Sequence, residues 1–225
     1  RETYDVLSDA VDFSRRLPGC FDVTIQPLLT LWSRARKSLA RPEASRIKQA
    51  LHLVNHRDLI LDPRDRTARL RNAGQCIDLG GIGKGFAGDR ILEAFRKFGI
   101  SSAYSNLGGN VVTLGARPDG SPWQVGIQHP RDPKSYFAAL ESTGASFSTS
   151  GDYEHAVFDG TGKRWHHIID TKTGRPADKS LSVTIMTAEG IYADALSTAA
   201  FVLGPEKALR MLSRIAYPAE AVIVG

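Results

Sequence analysis

The chain has 225 residues, of which 42% are apolar and 24% are charged, a balance typical of a globular protein with a sizeable core. No stretch of the sequence approaches the roughly 18–20 consecutive apolar residues of a membrane-spanning helix. No signal peptide is visible, and because the chain begins at Arg1 rather than Met, we expect that an N-terminal piece has been removed or left out.

The net charge of +5 is concentrated between Arg34 and Arg71, where eleven Lys or Arg residues face four acidic ones. Such a stretch can bind nucleic acid or a membrane surface, or it can be a solvated helix and hairpin. We favour the solvated elements because the stretch lacks interleaved aromatic residues for base stacking and contains no nucleic-acid motif. We therefore expect no nucleic-acid partner.

The two cysteines, Cys20 and Cys76, are far apart and lack the spacing of a zinc site or a redox motif. Each is flanked by apolar residues, which favours a small buried side chain. A disulfide between them stays open.

In the N-terminal third, apolar residues recur at helical spacing from about Tyr4 to Leu17, and Pro18-Gly19 ends that helix. The segment from Phe21 to Trp32 is strongly apolar, but its element type stays open. Pro42 opens a helix that reaches about Val54. Two short strands, Leu59–Leu61 and Ala68–Leu70, flank a turn at Asp62–Asp65.

The rest of the chain mixes adjacent strands with isolated helices. A strand at Cys76–Leu79 leads through a glycine-rich turn into a helix from about Phe86 to Phe98. Further strands are predicted at Ala103–Asn106, Val111–Leu114, Trp123–Gln128, Tyr136–Leu140, Ser146–Ser148 paired with Glu154–Phe158, Leu181–Met186 and Ala221–Val224, and further helices at Ile191–Leu203 and Pro205–Leu212. Because helices and strands do not alternate regularly, the pattern favours an α+β fold over a doubly wound parallel sheet.

The glycine-rich turn Asp78–Gly85 is the first chemical signal. Glycines permit close backbone approach, and a helix N-terminus attracts anions, so the turn is suited to phosphate. However, neither the Walker A pattern nor the Rossmann fingerprint is present. A tight turn that packs a helix against a sheet explains the residues equally well. A second turn, Asn106–Asn110, is more typical of a hairpin or bulge than of a ligand loop.

His167 and Asp170 lie three residues apart in a short apolar segment. An Asp beside a His can fix its tautomer and raise its basicity, as a general base requires. Neighbouring residues of a strand face opposite sides, so we expect only one of His166 and His167 to enter a given site. Without other support, a structural histidine is the simpler interpretation.

Asp194, Ser197 and Thr198 fall at i, i+3 and i+4 of a predicted helix, which places them on one face. One carboxylate with hydroxyl oxygens is suited to Mg²⁺, which keeps water or phosphate oxygens as its other ligands. The competing interpretation is a helix cap with Ser or Thr hydrogen bonded to the backbone.

Taken in order, these segments resemble the ApbE family of flavin transferases, the FAD:protein FMN transferases. The matching segments cover essentially the whole chain: Gly19–Thr24 with Pro27-Leu28 and Leu31-Trp32, Asp78–Gly85, Asn106–Asn110, Thr149–Glu154, His166–Asp170 with Thr173–Ala177, and Ala193–Thr198. Six segments in family order are far more specific than any one motif.

The resemblance implies a two-part α+β, T-fold-like architecture with mixed or antiparallel sheets and FAD in the cleft between the parts. It implies Mg²⁺-dependent cleavage of FAD, release of AMP, and transfer of FMN to a threonine of an acceptor protein, typically a redox-complex subunit with a Ser/Thr-rich motif. Two alternatives stay open: an FAD pyrophosphatase that hands FMN to water, and a non-catalytic FAD-binding protein. By family habit we expect a location on the outer side of the cytoplasmic membrane.

Site residues follow from the same resemblance. The metal would be held by Asp194 and Thr198, with Ser197 close by and the backbone carbonyl of Gly81 as a further ligand. His167 would act as the base, oriented by Asp170. The FAD site would be lined by Cys20, Phe21, Asp22, Asp78, Lys84 and Ile168.

Two departures from the family pattern stand out. Gly83 replaces the usual Ala, a change that we expect to be tolerated. The family normally begins with a strand that carries a Met-Gly-Thr-like segment near the flavin, and nothing in this chain matches it. We therefore expect one ApbE-like domain over residues 1–225 that lacks this N-terminal strand.

Overall fold

The structure is a computed structural model, and it describes residues 2–154, 156–159, 162 and 164–225. Its helices are α1 (Glu2–Arg16), α2 (Gln26–Ser38), α3 (Ala44–Leu51), α4 (Gly83–Lys97), α5 (Gly190–Leu203) and α6 (Pro205–Leu212). Its strands are β1 (Leu59–Asp62), β2 (Thr67–Leu70), β3 (Ala103–Leu107), β4 (Asn110–Leu114), β5 (Trp123–His129), β6 (Asp132–Ser142), β7 (Ser146–Gly151), β8 (Val157–Phe158), β9 (Arg164–Trp165), β10 (Ile169–Asp170), β11 (Arg175–Pro176), β12 (Ser182–Thr187) and β13 (Glu220–Val224).

The chain folds into two units, each built from two stretches of sequence. Unit 1 comprises Arg1–Gly80 and Glu154–Asp178, and unit 2 comprises Gly81–Tyr153 and Lys179–Gly225. Every pair of strands in the described residues is antiparallel. The predicted α+β class is therefore confirmed. Within the described ranges, no helix has both the length and the hydropathy needed to cross a bilayer.

Unit 1 is organised around two tryptophans. The rings of Trp32 in α2 and Trp165 in β9 meet edge to face with centroids 5.7 Å apart, and Leu28, Ile47 and Ile169 belong to the same buried cluster. The indole nitrogen of Trp32 donates to the carbonyl of Gly174 at 2.7 Å. This bond lets the ring be buried without an unpaired donor.

Helix α2 accounts for the segment whose element type the sequence leaves open. Pro27 lies in its first turn, where the missing N–H costs nothing. Leu28, Trp32 and Ala35 are the buried residues of this helix, and their i, i+4, i+7 spacing places them on one face. The many apolar residues before Trp32 obscure this period in the sequence.

Unit 2 contains a five-stranded antiparallel sheet in the order β13-β12-β7-β4-β3. Helix α5 packs on β7 and β12, and α4 packs on β4. Leu196, Ala199 and Phe201 of α5 are all fully buried. A helix that is apolar on nearly all sides belongs inside a core, so the sheet and α4 enclose the helix that carries Asp194.

Three sequence predictions are wrong. Residues 76–79 form no strand; the amide of Asp78 donates to the carbonyl of Val23 at 2.9 Å, but no ladder of bonds follows. The segment Glu154–Phe158 does not pair with β7, because β7 pairs with β4 and β12, whereas its last two residues, β8, pair with β9; His155 lies outside the described residues. Cys76 is exposed, whereas Cys20 is buried as expected, and the two are not joined by a disulfide.

Candidate functional site

Asp194 lies in a buried, hydrogen-bonded position on α5. The residue is 2% exposed. Its Oδ2 accepts from the backbone N–H of Gly85 at 2.9 Å, and its Oδ1 accepts from the hydroxyl of Ser148 at 3.1 Å. The ammonium of Lys84 lies 3.8 Å from Oδ1. A buried carboxylate requires such donors and a nearby cation to offset its lost hydration.

Two glycines allow α4 and α5 to approach closely enough for these bonds. A Cβ added at Gly85 would lie 2.1 Å from the carbonyl oxygen of Gly190 and 2.8 Å from the Cβ of Asp194. A Cβ added at Gly190 would lie 2.6 Å from the carbonyl oxygen of Gly85. Real Cβ atoms do not approach a carbonyl oxygen so closely, so both positions require glycine. For Gly85, the packing interpretation of the glycine-rich turn is therefore correct.

The same two helices cap each other. Asp89 of α4 accepts from the backbone N–H groups of Gly190 and Ile191, at 2.6 and 2.9 Å, at the start of α5. Asp194 of α5 in turn accepts from the first turn of α4. Burial raises the pKa of Asp89, while the two backbone hydrogen bonds act in the opposite direction. Each carboxylate thus satisfies orphan amides at the positive end of the other helix.

The hydroxyl of Ser197 is part of the packing between α5 and β7. Ser197 is fully buried, and its Oγ donates to the carbonyl of Asp194 at 3.0 Å. It also contacts the hydroxyl oxygens of Ser150 at 3.0 Å and Ser148 at 3.3 Å. Thr198, by contrast, is partly exposed. The structure therefore places Ser197 in a structural network, and its role as a metal ligand stays a prediction.

The donors that the family resemblance assigns to the metal are of the type that a hard divalent cation binds. The buried carboxylate of Asp194, the partly exposed hydroxyl of Thr198, four residues later on α5, and the Gly81 carbonyl all offer oxygen, the ligand atom that Mg²⁺ prefers. The Lys84 side chain is 44% exposed and can move away when a cation binds. No cluster of three or more His, Cys, Asp or Glu side chains suited to a metal occurs among the described residues. A metal here would depend on one carboxylate with hydroxyl and carbonyl oxygens.

In unit 1, the carboxylate of Asp22 makes hydrogen bonds that stabilise the fold. Its Oδ1 accepts from the backbone N–H and the hydroxyl of Thr24, at 2.9 and 2.6 Å. Its Oδ2 contacts the backbone N–H of His56 at 3.1 Å and the ring Nδ1 at 3.0 Å. Cys20 and Phe21 are also buried. These side chains hold the segment in place, and their contact with a flavin stays a prediction.

A cavity of about 490 Å³ within unit 1 brings together residues from three parts of the sequence. Asp78 and Gly80 form one part of its lining, and the carboxylate of Asp78 accepts from the N–H of Gly80 at 2.8 Å. His167 lines the same cavity. The rest is formed by residues of α2: Gln26, Leu29, Thr30, Trp32, Ser33, Arg34, Arg36 and Lys37. Sequence reasoning missed this helix, although its polar residues recur at helical spacing.

The two neighbouring histidines differ in environment. His166 is buried, and its Nε2 contacts the carbonyl of Ala177 at 2.7 Å. His167 is partly exposed, and its Nδ1 contacts the carbonyl of Glu154 at 3.2 Å. Because a carbonyl oxygen only accepts, Nδ1 is the donor in that contact, and in a neutral ring the lone pair is then on Nε2. The pair does not lie on a strand, so the alternation behind the expectation is absent, and entry of only one of the two rings into a given site stays a prediction.

The other two residues of this segment have local roles. The carboxylate of Asp170 accepts from the backbone N–H groups of Lys172 and Thr173, at 2.8 and 3.3 Å, and so forms a turn. Ile168 is buried, and its N–H donates to the ring Nδ1 of His166 at 3.2 Å. Orientation of His167 by Asp170 and contact of Ile168 with FAD stay predictions.

Comparison with known proteins gives a consistent result. The sequence model of the ApbE family matches residues 1–223. The chain is 35% identical to the FAD:protein FMN transferase of Klebsiella pneumoniae (strain 342) over 209 residues, which is 92% of this chain and 64% of that protein. It is also 35% identical to the FAD:protein FMN transferase of Treponema pallidum (strain Nichols) over 227 residues, or 94% of this chain and 62% of that protein. The chain thus spans less than two thirds of the length of these relatives.

Solved structures agree with the sequence comparison. The ApbE protein of Thermotoga maritima superposes with a TM-score of 0.89 at 31% identity, covering 99% of this chain and 73% of that one. The apo form of the Pseudomonas stutzeri flavinyl transferase ApbE superposes with a TM-score of 0.83 at 30% identity, covering 99% and 69%.

Proposed function

This chain belongs to the ApbE family, and we propose on that basis that it transfers FMN from FAD to a threonine hydroxyl of an acceptor protein and releases AMP. The observation that carries the proposal is the buried carboxylate of Asp194, held between the N-terminus of α4 and the ammonium of Lys84. This arrangement combines a ligand for a cation with two sources of positive charge for phosphate oxygens.

We assign Asp194, Thr198 and the carbonyl of Gly81 as the groups that would hold Mg²⁺. When bound, the ion would neutralise charge on the pyrophosphate of FAD. Lys84, whose ammonium lies 3.8 Å from Asp194 and whose side chain is 44% exposed, would turn from that carboxylate toward the phosphate oxygens and add a further positive charge there. Positioning and charge neutralisation are the main contributions that a protein makes to transfer at a phosphoanhydride.

We assign the proton transfer to His167. The threonine oxygen of the acceptor would bond to the phosphorus of the FMN half of FAD, the bond from that phosphorus to the bridging oxygen would break, and AMP would leave with the electron pair. The proton of the hydroxyl would pass to Nε2 of His167, because Nδ1 is engaged with the carbonyl of Glu154. General base catalysis of this kind contributes about 10²–10⁴-fold.

The acceptor would be a redox-complex subunit with a Ser/Thr-rich segment, and the reaction would take place on the outer side of the cytoplasmic membrane. Both statements rest on the family resemblance. His167 lies in the lining of the cavity in unit 1, and this position supports the proposal that a hydroxyl of a partner would reach it there.

The test is incubation of the chain with FAD, Mg²⁺ and a candidate acceptor, followed by mass spectrometry of AMP and of the acceptor. We expect AMP and an acceptor heavier by one FMN. His167→Ala should bind FAD but transfer no FMN, whereas His52→Ala, which replaces an exposed histidine of the same unit, should behave as wild type. AMP with free FMN would identify an FAD pyrophosphatase, and FAD binding without AMP would identify a binding protein.

A further inference from the structure

Helix α2 has two chemically distinct faces. Leu28, Trp32 and Ala35 are buried in the core of unit 1. The opposite face carries polar residues at i, i+4, i+7, i+8 and i+11, and all of them line the cavity that contains His167: Gln26, Thr30, Ser33, Arg34 and Lys37. These polar residues extend along the cavity over three turns of the helix, beside Leu29 and Trp32, which also line it.

Charge is concentrated at one end of that face. Arg34 and Lys37 are exposed, and within the described part of the chain neither has a carboxylate within salt-bridge distance. Basic residues in the last turn of a helix interact favourably with the helix dipole, which explains part of this pattern. However, like charges three residues apart repel each other. An anionic partner would relieve that repulsion.

The position of the charges indicates a macromolecular partner rather than a small ligand. A small molecule is largely enclosed by its pocket, whereas Arg34 and Lys37 are open to solvent. Exposed charges at a rim are typical of protein interfaces, where they guide encounter and select the partner. The hydroxyl that His167 is assigned to deprotonate must enter the same cavity, so a peptide segment is suited to contact both regions.

We propose that the polar face of α2 binds the acceptor segment and that Arg34 and Lys37 recognise acidic residues next to the acceptor threonine. This rests on the proposed function, which it deepens by naming the chemistry of the partner. Gln26 and Thr30, hydrogen bonded to each other at 3.1 Å, supply further polar groups along the same face.

The test uses direct binding, so its outcome does not depend on FMN transfer. Two dye-labelled synthetic peptides are compared by fluorescence anisotropy: a threonine flanked by three aspartates, and the same peptide with asparagines. We expect the wild-type chain to bind the aspartate peptide about tenfold more tightly, the size expected for two exposed charge pairs together. The preference should shrink at high salt because screening shortens the reach of exposed charges.

Variants with reversed charges test whether Arg34 and Lys37 cause the preference for the aspartate peptide. The double variant Arg34→Glu/Lys37→Glu should lose this preference. The milder Arg34→Gln/Lys37→Gln should reduce the preference with little risk to folding. The matched control, Arg46→Glu/Lys48→Glu, changes the net charge equally on the exposed side of α3 and should keep it. Equal binding of both peptides by wild type, or an unchanged preference in the double variant, would overturn the proposal. Weakened FAD binding in the double variant, followed by flavin fluorescence, would instead assign these charges to the phosphates of FAD.

Discussion

Substitution of Asp194 separates its structural role from its assigned metal role. Asp194→Ala removes the acceptor for the N–H of Gly85 and for the hydroxyl of Ser148. Asp194→Asn keeps the size of the side chain. Its carbonyl oxygen can accept from Gly85, and its amide can donate to Ser148, so both bonds are replaced without the charge.

The expected costs differ accordingly. An unsatisfied buried donor costs about 1–3 kcal/mol. In the Ala variant Ser148 can turn its hydroxyl toward Ser197, which lies 3.3 Å away, whereas the amide of Gly85 loses its acceptor at 2.9 Å. We expect Asp194→Ala to lower the free energy of unfolding by about 2–4 kcal/mol, including the small cavity that it creates. Asp194→Asn should stay within about 1 kcal/mol of wild type.

Urea unfolding with EDTA and with Mg²⁺ provides the assay. A ligand that binds only the folded state stabilises it in proportion to the logarithm of its concentration. Wild type should therefore gain stability with Mg²⁺, and Asp194→Asn should gain none and release no AMP. Asp65→Asn, which replaces an exposed carboxylate, is the control. Magnesium-dependent AMP release by Asp194→Asn would refute the assignment of this carboxylate to the metal.

Three further predictions concern packing and buried charge in unit 2. Gly85→Ala should lower the free energy of unfolding by about 1–3 kcal/mol, because the added methyl meets backbone that cannot move aside; urea unfolding beside Lys97→Ala, at the exposed end of the same helix, checks this. Because burial raises the pKa of Asp89 above 3.8, the folded state binds its proton more tightly than the unfolded state. Wild-type stability should therefore fall relative to Asp89→Asn as pH rises through that raised value, and a relative rise in urea midpoints would contradict the reasoning. Arg131→Met should cost about 1–3 kcal/mol because it removes the two hydrogen bonds, at 2.7 and 2.8 Å, that the buried carboxylate of Asp152 accepts from Arg131; in a double-mutant cycle, the added substitution Asp152→Asn should recover part of this loss.

Local signals in the sequence predict the elements whose period is regular. The helix over Pro205–Leu212 and the hairpin at the turn Asp62–Asp65 are found where the sequence places them, because their patterning and turn residues agree with the tertiary structure. Residues 76–79 show where prediction from local sequence signals fails. Three of these four residues are apolar and a glycine-rich turn follows them, as is typical of a strand, but no strand pairs with them in the described part of the chain. Whether a segment finds a partner strand depends on tertiary structure.

In the candidate site, too, some features follow from the local sequence and others depend on tertiary structure. The face formed by Asp194, Ser197 and Thr198 follows from helical spacing, but the roles on that face do not. Gly85 and Asp194 are 109 positions apart, and only the packed structure shows that one needs to lack a side chain for the other to reach its amide. Likewise, no local pattern shows that Ser197 is turned toward β7 while Thr198 is partly exposed.

The mutual capping of α4 and α5 explains how a structural carboxylate can also serve a ligand. Asp89 fixes the start of α5 through two amides, and Asp194 fixes its own position through one amide of α4. The site is therefore rigid before any ligand arrives, which lowers the entropic cost of binding. The positive end of α4 and Lys84 favour an anion, and the carboxylate favours a cation. Such a site is better suited to a cation and a phosphate together than to either alone, and a pyrophosphate with a divalent metal has this composition.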